Sequence, residues 1–203
     1  IVWTQSQRAL EYLHPDNLPV RTSVIWNLGY VYELQGNREA AKHAYSEALS
    51  TSQAIGHFII HIMSALGLGG IQEGETQLHQ AAETYQDVLK IAGDPPQAVA
   101  TAAHLGLARI YYEWNDLDAA QQQGQQSLLL AQQFQGSIDR EVASQIFLAR
   151  LKLVQGDVTG AETLLAKASE AVQTHNFIYR LPELTAWQRP VWLKSGLARN
   201  GCS

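Results

Sequence analysis

Apolar residues recur along this chain at the spacing of α-helices. In the stretch 98–112 they follow one another at intervals of three and four, which places them on one face of a helix. These residues are Ala98, Ala102, Leu105, Ala108 and Tyr112. The pattern predicts helices joined by short turns and no β-sheet.

The helical pattern itself repeats about every 40 residues. The stretch that begins at Leu28 returns at Leu68, Leu107 and Leu148, and each copy predicts two antiparallel helices. Small residues recur at two positions, where they let two helix axes approach closely: Gly29, Gly69 and Ala108 at the first, and Ala41, Ala81, Ala120 and Ala161 at the second. Large residues fill the gaps beside them, namely Tyr32, Tyr45, Tyr85 and Tyr111.

The turn inside each helix pair also repeats. Gly36, Asn115 and Gly156 fall at equivalent places, where a helix ends with one residue at positive φ. Gly adopts that conformation at little cost, and Asn is the next best choice. The second copy has Thr76 at this place and its nearest glycine, Gly74, two residues earlier, so we expect a longer or irregular turn there.

This register divides residues 1–203 into one domain of successive repeats. Residues 1–18 are the end of a preceding repeat, and four repeats follow at 19–56, 57–95, 96–136 and 137–175. Residues 176–203 are a partial fifth repeat, whose first helix is predicted over Leu184 to Gly196 with Gly196 as its stop. Proline marks the boundaries, at Pro19 and in Asp94-Pro95-Pro96. Because the array is cut at both ends and starts at Ile1, we expect a fragment of a longer protein.

Composition narrows the classes of function. Hydrophobic residues make up 46% of the chain, charged residues 16%, and the net charge is -5. A nucleic-acid surface would need clustered Lys and Arg, so we expect no direct nucleic-acid contact. The single cysteine, Cys202, excludes a disulfide framework. The most apolar stretch, Ile55 to Ile71, falls short of the roughly 20 residues of a membrane span and predicts a buried helix.

Candidate chemistry is sparse. His57 and His61 lie four apart on a helix, a spacing at which two imidazoles can share a metal, but no third ligand is nearby, so we favour a structural role. The pairs Glu73 with Glu75 and Glu113 with Asp116 could be an acid and a base. No nucleophile accompanies either pair, and we expect neither catalysis, nor a bound metal, nor a cofactor in this segment.

A groove is the better candidate site. In stacked helix pairs the first helix of each pair lines the concave surface. Aromatic rings with a few charged groups suit a sugar, a peptide or another small polar ligand, and the same rings could instead pack between helices. The candidate groove residues are Trp26, Tyr30, Glu33, Met63, Leu66, Glu73, Arg109, Tyr112, Glu113 and Arg150.

Arg109 and Arg150 are the sharpest part of this prediction. They fall at the same place in successive repeats, one stacking step apart, so we expect both guanidinium groups on one wall with Tyr112 and Glu113. Such a wall suits a polar or anionic ligand, because arginine offers a planar fork of donors. The alternative is that each arginine pairs with a local carboxylate and only holds the helices in place.

The stretch Tyr111 to Ala120, YYEWNDLDAA, is the most specific motif of the chain. With Gly36 and Ala40-Ala41, with Leu78 to Ala82, and with Trp187 to Leu193, it resembles the tetratricopeptide-like sensor region of MalT-like, ATP-dependent regulators of the LuxR family. General tetratricopeptide repeats have a shorter period of about 34 residues. The chain departs from the family pattern at Thr76, where glycine is usual, and at Pro190, inside the last predicted helix.

The resemblance implies an all-α, right-handed superhelix of helix pairs, an α-solenoid, within a bacterial, cytoplasmic transcription regulator. Such proteins carry an ATPase domain before the array and a DNA-binding helix-turn-helix after it. No phosphate-binding loop occurs here, so ATP is implied only for the ATPase domain outside this sequence. The implied partners are a small-molecule inducer or a regulatory protein, with self-association and no membrane. The alternative is a tetratricopeptide scaffold that binds a peptide or protein outside transcription.

Overall fold

The computed structural model describes the backbone of residues 2–93, 98–134 and 136–200. It also describes their side chains, except those of residues 2, 3, 189 and 192–200. The predicted break at Asp94-Pro95-Pro96 and the single Cys202 lie outside the described residues. Within them the chain is helical and contains no β-strand, which confirms the predicted all-α fold.

Ten α-helices follow one another in the described residues: α1 Val2–Tyr12, α2 Leu18–Leu34, α3 Arg38–Ile55, α4 Phe58–Gly74, α5 Leu78–Ala92, α6 Ala100–Glu113, α7 Leu117–Gln133, α8 Ile138–Val154, α9 Val158–Thr174 and α10 Leu181–Asn200. A short 3₁₀ helix, Ile178–Arg180, precedes α10. None of these helices is both long and apolar enough to cross a membrane.

The chain divides into two compact units. Unit 1 is Ile1–Pro95 and unit 2 is Pro96–Ser203. In unit 1 the pairs α2 with α3 and α4 with α5 pack against each other, and α1 packs on α2. In unit 2 the pairs are α6 with α7 and α8 with α9, and α10 packs on both α8 and α9. The predicted repeat boundaries stay a prediction.

The first helix of every pair ends at a residue of positive φ. Gly36 has φ of 75°, Asn115 of 59° and Gly156 of 85°, as predicted. The residue that follows donates its backbone N–H to a carbonyl five positions back, for example from Asn37 to Tyr32 at 2.9 Å. This bond satisfies a carbonyl that the helix end would otherwise leave free.

The same short turn starts the second helix. The residue after the positive-φ position is its N-cap, and the side chains of Asn37, Asp116 and Asp157 each accept a backbone N–H from three positions on, at 3.2, 3.1 and 2.8 Å. Asn and Asp are among the best N-cap residues because their side-chain oxygen satisfies a free donor of the first turn. One dipeptide therefore ends one helix and begins the next.

The prediction of a longer or irregular turn at Thr76 is wrong. Thr76 itself adopts φ of 61°, and Gln77 donates to Gln72 at 2.8 Å in the same pattern as the other turns. Gly74 is the last residue of α4. Tertiary packing of the pair outweighs the local strain, since a β-branched residue at positive φ is strongly disfavoured.

Unit 1 packs large side chains of its second helices onto glycines of its first helices. The ring of Tyr45 lies between Gly29 and Gly67, where an added Cβ would come within 2.7 and 2.6 Å of the ring. Tyr85 lies in the same way against Gly69, at 2.6 Å. Both tyrosines are buried. Glycine is required at these places by close approach. The pattern of small residues predicts this at Gly29 and Gly69 and does not include Gly67.

Unit 2 reverses this arrangement at one position. Gly124 of α7 stands four residues after Ala120, as Tyr45 stands four after Ala41. An added Cβ at Gly124 would lie 2.9 Å from Leu148 and 3.0 Å from Phe147. The large side chains therefore come from α8, which is a first helix, and they form a core cluster with Leu105, Ala108 and Ala120 among others.

The predicted stop at Gly196 is wrong. Helix α10 begins at Leu181 and runs through Pro190 and Gly196 to Asn200. A glycine inside a helix costs only about 1 kcal/mol relative to alanine, so it does not end a helix by itself. Leu184 and Val191 anchor α10 in a core cluster with residues of α8 and α9.

Candidate ligand site

The predicted aromatic residues of unit 1 differ in exposure. The rings of Trp26 and Tyr30, one turn apart on α2, stack in parallel with centroids 6.2 Å apart. Tyr30 is exposed, whereas Trp26 is half-buried and packs against the core cluster of Ala41, Tyr45 and Ile71. Trp26 therefore takes part in packing, and Tyr30 is the ring that faces solvent.

The predicted carboxylates of unit 1 bind tyrosines. The hydroxyl of Tyr45 donates to Glu33 at 2.8 Å, and that of Tyr85 donates to Glu73 at 3.2 Å. Burial, with the nearby Glu33 carboxylate, raises the pKa of Tyr45 well above its ordinary value. Met63 and Leu66 of α4 are half-buried. A groove formed by the candidate residues of unit 1 stays a prediction.

In unit 2 the structure brings the two predicted arginines to one cavity of about 140 Å³. Arg109 comes from α6 and Arg150 from α8. The segment at the start of α10 completes the lining with two charged side chains and one aromatic ring: Arg180, Glu183 and Trp187. The remaining lining residues are apolar: Leu105, Ala143, Ile146 and Phe147.

Arg150 is the centre of this site. Its guanidinium carbon lies 3.9 Å from the ring centroid of Tyr112 and 5.2 Å from that of Trp187. Nη2 of Arg150 donates to Glu113 at 3.4 Å, and the Glu113 side chain is 53% exposed. Nε of Arg150 is buried and has no hydrogen-bond partner among the described residues. Three predicted residues, Tyr112, Glu113 and Arg150, are therefore in direct contact.

Arg180 is held more firmly than Arg150. It donates through Nε and Nη2 to the two oxygens of Asp139, both at 2.8 Å, and through Nη1 to Glu183 at 3.1 Å. Tyr179 donates to the same Asp139 at 2.6 Å. The hydrogen bond from Arg180 is the main reason that the pKa of Asp139 lies below its ordinary value. This network ties the segment before α10 to the start of α8.

Sequence reasoning missed the contribution of α10 to the site. Trp187 follows Phe147 by 40 residues, so the repeat register carried one step further would have placed it on the same wall. Arg180 lies in the short 3₁₀ helix, outside any repeated position, and pairs with a residue 41 positions away. No signal in the sequence indicated that pair.

The other candidate residues serve the helix ends and helix pairing. His57 is the N-cap residue of α4, and Nδ1 of His61 lies 3.4 Å from the carbonyl of Leu49. Glu75 accepts from Lys42 at 3.1 Å, and Asp116 caps α7. Among the described residues no group of three or more His, Cys, Asp or Glu side chains could hold a metal ion.

Comparison with protein families matches residues 2–200 to the MalT-like TPR region, where TPR stands for tetratricopeptide repeat. The chain belongs to this family. The match covers both compact units and all ten helices. No curated protein matches the chain.

Solved structures share the fold of this MalT-like TPR chain. BtubC from P. vanneervenii aligns with a TM-score of 0.69 and 20% identity, over 85% of this chain and 72% of BtubC. A Rap protein complexed with competence and sporulation factor aligns with a TM-score of 0.59 and 13% identity, over 98% of this chain and 70% of that protein.

A larger multidomain protein is also similar. A signal transduction ATPase with numerous domains, which carries a TPR sensor and comes from Pyrococcus horikoshii, aligns with a TM-score of 0.66 and 21% identity. The alignment covers 90% of this chain but only 28% of that protein. At these identities the three likenesses establish the fold alone.

Proposed function

We propose that this chain is the ligand-sensing and protein-interaction region of a MalT-like transcription regulator of the LuxR family. The ligand binds in the cavity of unit 2, where Arg109, Arg150 and Trp187 meet. The observation that carries this proposal is the state of Arg150, which lines that cavity and whose hydrogen bond to the exposed Glu113 is long, at 3.4 Å.

The physical argument rests on an exchange of hydrogen-bond partners at Arg150. The guanidinium of Arg150 stacks on Tyr112 and donates to Glu113 at 3.4 Å, and an ion pair with so exposed a partner contributes at most about 1 kcal/mol. A ligand oxygen in the cavity can therefore replace Glu113 at little cost and accept a shorter, charge-assisted hydrogen bond.

Family membership supports the regulatory part of the proposal. The similar ATPase from Pyrococcus horikoshii carries its TPR region as a sensor, and the same role suits this chain. The ATPase and DNA-binding domains then belong to other parts of the full-length protein, and this segment has no catalytic role. Ligand binding would bias the regulator toward a self-associating form.

A thermal-shift screen of metabolites against this chain tests the proposal. We expect at least one small polar compound to raise the melting temperature. Arg150→Ala should abolish that rise, and Arg109→Ala should reduce it. Loss of two ring contacts should lower the stability of Arg150→Ala itself by only about 1 kcal/mol.

Arg38→Ala is the matched control, since Arg38 is exposed and does not line this cavity. It should leave the ligand response intact. Normal ligand responses in both cavity variants would refute the proposed site. Unfolding of both variants well below the parent chain would instead indicate that the two arginines only hold the helices.

A peptide- or protein-binding scaffold outside transcription is the second candidate. The likeness to a Rap protein complexed with competence and sporulation factor favours it, because that protein shares the fold over nearly the whole chain. The flanking coding sequence separates the two. A phosphate-binding loop upstream and a helix-turn-helix downstream support the regulator, and the lack of both would support the scaffold.

A further inference from the structure

We infer that the cavity of unit 2 takes a compact anionic group, a carboxylate or a phosphate, carried by a small metabolite. This inference rests on the proposed ligand site and specifies the chemistry of its ligand. It depends on three observations about the cavity: its size, the charges that line it, and the way in which Arg150 is held.

The size of the cavity limits what can enter. Ligand pockets that enclose a drug-sized molecule measure about 300–1,000 Å³, and this cavity measures about 140 Å³. It can therefore hold one functional group of a ligand, with the rest of the molecule outside.

The charge of Arg150 favours an anion. Arg109, Arg180 and the carboxylate of Glu183 also line the cavity, and Arg109 has an interaction partner of its own. Glu183 is already bound to Arg180, as is Asp139. The hydrogen bond of Arg150 to Glu113 is long, at 3.4 Å, and the Glu113 side chain is 53% exposed. Arg150 can therefore exchange Glu113 for a ligand anion at little cost.

The aromatic contacts orient the guanidinium group of Arg150 so that a ligand anion can replace Glu113. Tyr112 lies against a face of the guanidinium, and Trp187 lies near it. Ring contacts use the faces of the guanidinium, whereas all five N–H donors lie along its edge. The rings thus fix the orientation of the group and leave its edge for a planar carboxylate or a phosphate.

Titration calorimetry of this chain with sodium phosphate and with sodium succinate tests the inference. Sodium chloride at matched ionic strength and glucose, a neutral polyol, serve as probes without the required chemistry. We expect saturable binding of at least one of the two anions and none of chloride or glucose. Arg150→Gln should weaken the anion at least about tenfold, the loss expected for a charge-assisted hydrogen bond. Arg38→Gln should leave it unchanged.

Glu113→Gln provides a gain-of-affinity test that does not depend on the folding of an arginine variant. It removes the carboxylate that competes for Arg150, so phosphate or succinate should bind about two- to fivefold more tightly, the range of an exposed ion pair. Unchanged or weaker binding in Glu113→Gln would overturn the inference.

The outcomes separate this inference from the proposed function. Binding of phosphate alone or of succinate alone supports it and identifies the source of the charge. If neither binds, while a neutral compound from the metabolite screen depends on Arg150, the anionic class is wrong and the proposed site stands. If no compound of any class depends on Arg150, both are overturned.

Discussion

The two compact units of this MalT-like TPR chain differ in which helix of a contact supplies the small residue and which the large side chain. In unit 1 the second helices supply the large side chains, Tyr45 and Tyr85, and the first helices supply glycines. In unit 2 the second helix α7 supplies Gly124, and α8 supplies Phe147 and Leu148. The same close approach of helices is therefore achieved with the small and large residues exchanged.

The exchange has a consequence for the candidate site. In unit 1 each tyrosine hydroxyl binds a glutamate of a first helix, so that Glu33 and Glu73 are engaged by their own helix pair. With Gly124 in place of a tyrosine, α7 offers no hydroxyl at that position. Tyr112 and Glu113 at the end of α6 instead contact Arg150. The candidate site thus lies in the unit that lacks the tyrosine.

Replacing Tyr45 tests the packing of unit 1 with the largest expected effect. Tyr45→Ala should destabilise the chain by about 3–5 kcal/mol, because it removes a fully buried ring and leaves a cavity between two glycines. Tyr45→Phe keeps the ring and loses only the bond to Glu33, so it should cost about 1 kcal/mol. Chemical denaturation measures both. Equal losses would show that the hydroxyl, and not the ring, supports unit 1.

The glycines opposite the large side chains sharpen the comparison. Gly67→Ala places a Cβ 2.6 Å from the rigid ring of Tyr45 and should destabilise by about 1–3 kcal/mol through overpacking. Gly124→Ala places a Cβ 2.9 Å from a terminal methyl of Leu148, which can move, and 3.0 Å from the ring of Phe147. Because these contacts are longer than those at Gly67, we expect Gly124→Ala to destabilise less than Gly67→Ala.

Denaturation midpoints of the two alanine variants provide the measurement. A double variant, Gly67→Ala with Tyr45→Leu, should be less destabilised than the sum of its single changes, since the clash is removed. Additive effects, or a larger loss at Gly124 than at Gly67, would contradict the proposed difference between the units.

The positive-φ residues that end the first helices lie at equivalent backbone positions in the two units, so substitutions there compare the backbone strain of the two units. Nothing lies within 4 Å of a Cβ at Gly36 or Gly156, so Gly36→Val and Gly156→Val should each cost about 1 kcal/mol or more from backbone strain alone. Thr76→Gly should stabilise by about 1 kcal/mol for the same reason, and Asn115→Gly should be nearly neutral. Thermal unfolding of the four variants measures this order. Loss of stability in Thr76→Gly would contradict it.

The sequence predicted the features that depend on local backbone requirements. Gly36, Asn115 and Gly156 could be placed because few residues tolerate positive φ, and Arg109 and Arg150 because the repeat register carries them to one wall. The positive φ of Thr76 was not predicted, because a β-branched side chain disfavours that conformation. The exchange at Gly124 was not predicted, because a small residue at a repeated position does not show which neighbouring side chain packs beside it.

The site itself was only partly predictable. The repeat register placed Tyr112, Glu113 and Arg150 among the candidate groove residues, and in the structure Arg150 contacts both of the others. Which groups remain unsatisfied depends on distances and burial that no pattern of residue types contains. The buried Nε of Arg150 and the pair of Arg180 with Asp139 are both of this kind.

Asp139 gives the smallest of the expected effects, a difference in acid stability. Its pKa is lowered in the folded chain, first by the hydrogen bond from Arg180. A carboxyl whose pKa is lowered by folding stabilises the chain at any pH above its unfolded pKa of about 3.9. That contribution is lost as the pH falls through the lower folded pKa. The ion pair of Arg180 with Asp139 should therefore stabilise the chain at neutral pH and lose this contribution in acid.

Melting temperatures of the parent chain and of Asp139→Asn between pH 7 and pH 3 test this expectation. The parent should be the more stable at pH 7, with a constant difference down to about pH 5 that narrows below about pH 4. Asp87→Asn is the control in unit 1, because Asp87 forms an exposed pair with Lys90 and exposed pairs contribute little. It should change the melting temperature little at any pH. A difference for Asp139→Asn that stays constant down to pH 3, or that widens in acid, would show that its carboxylate charge does not hold the segment before α10 on α8. In that case the apolar packing of Leu184 and Val191 alone would hold α10 beside the cavity of unit 2.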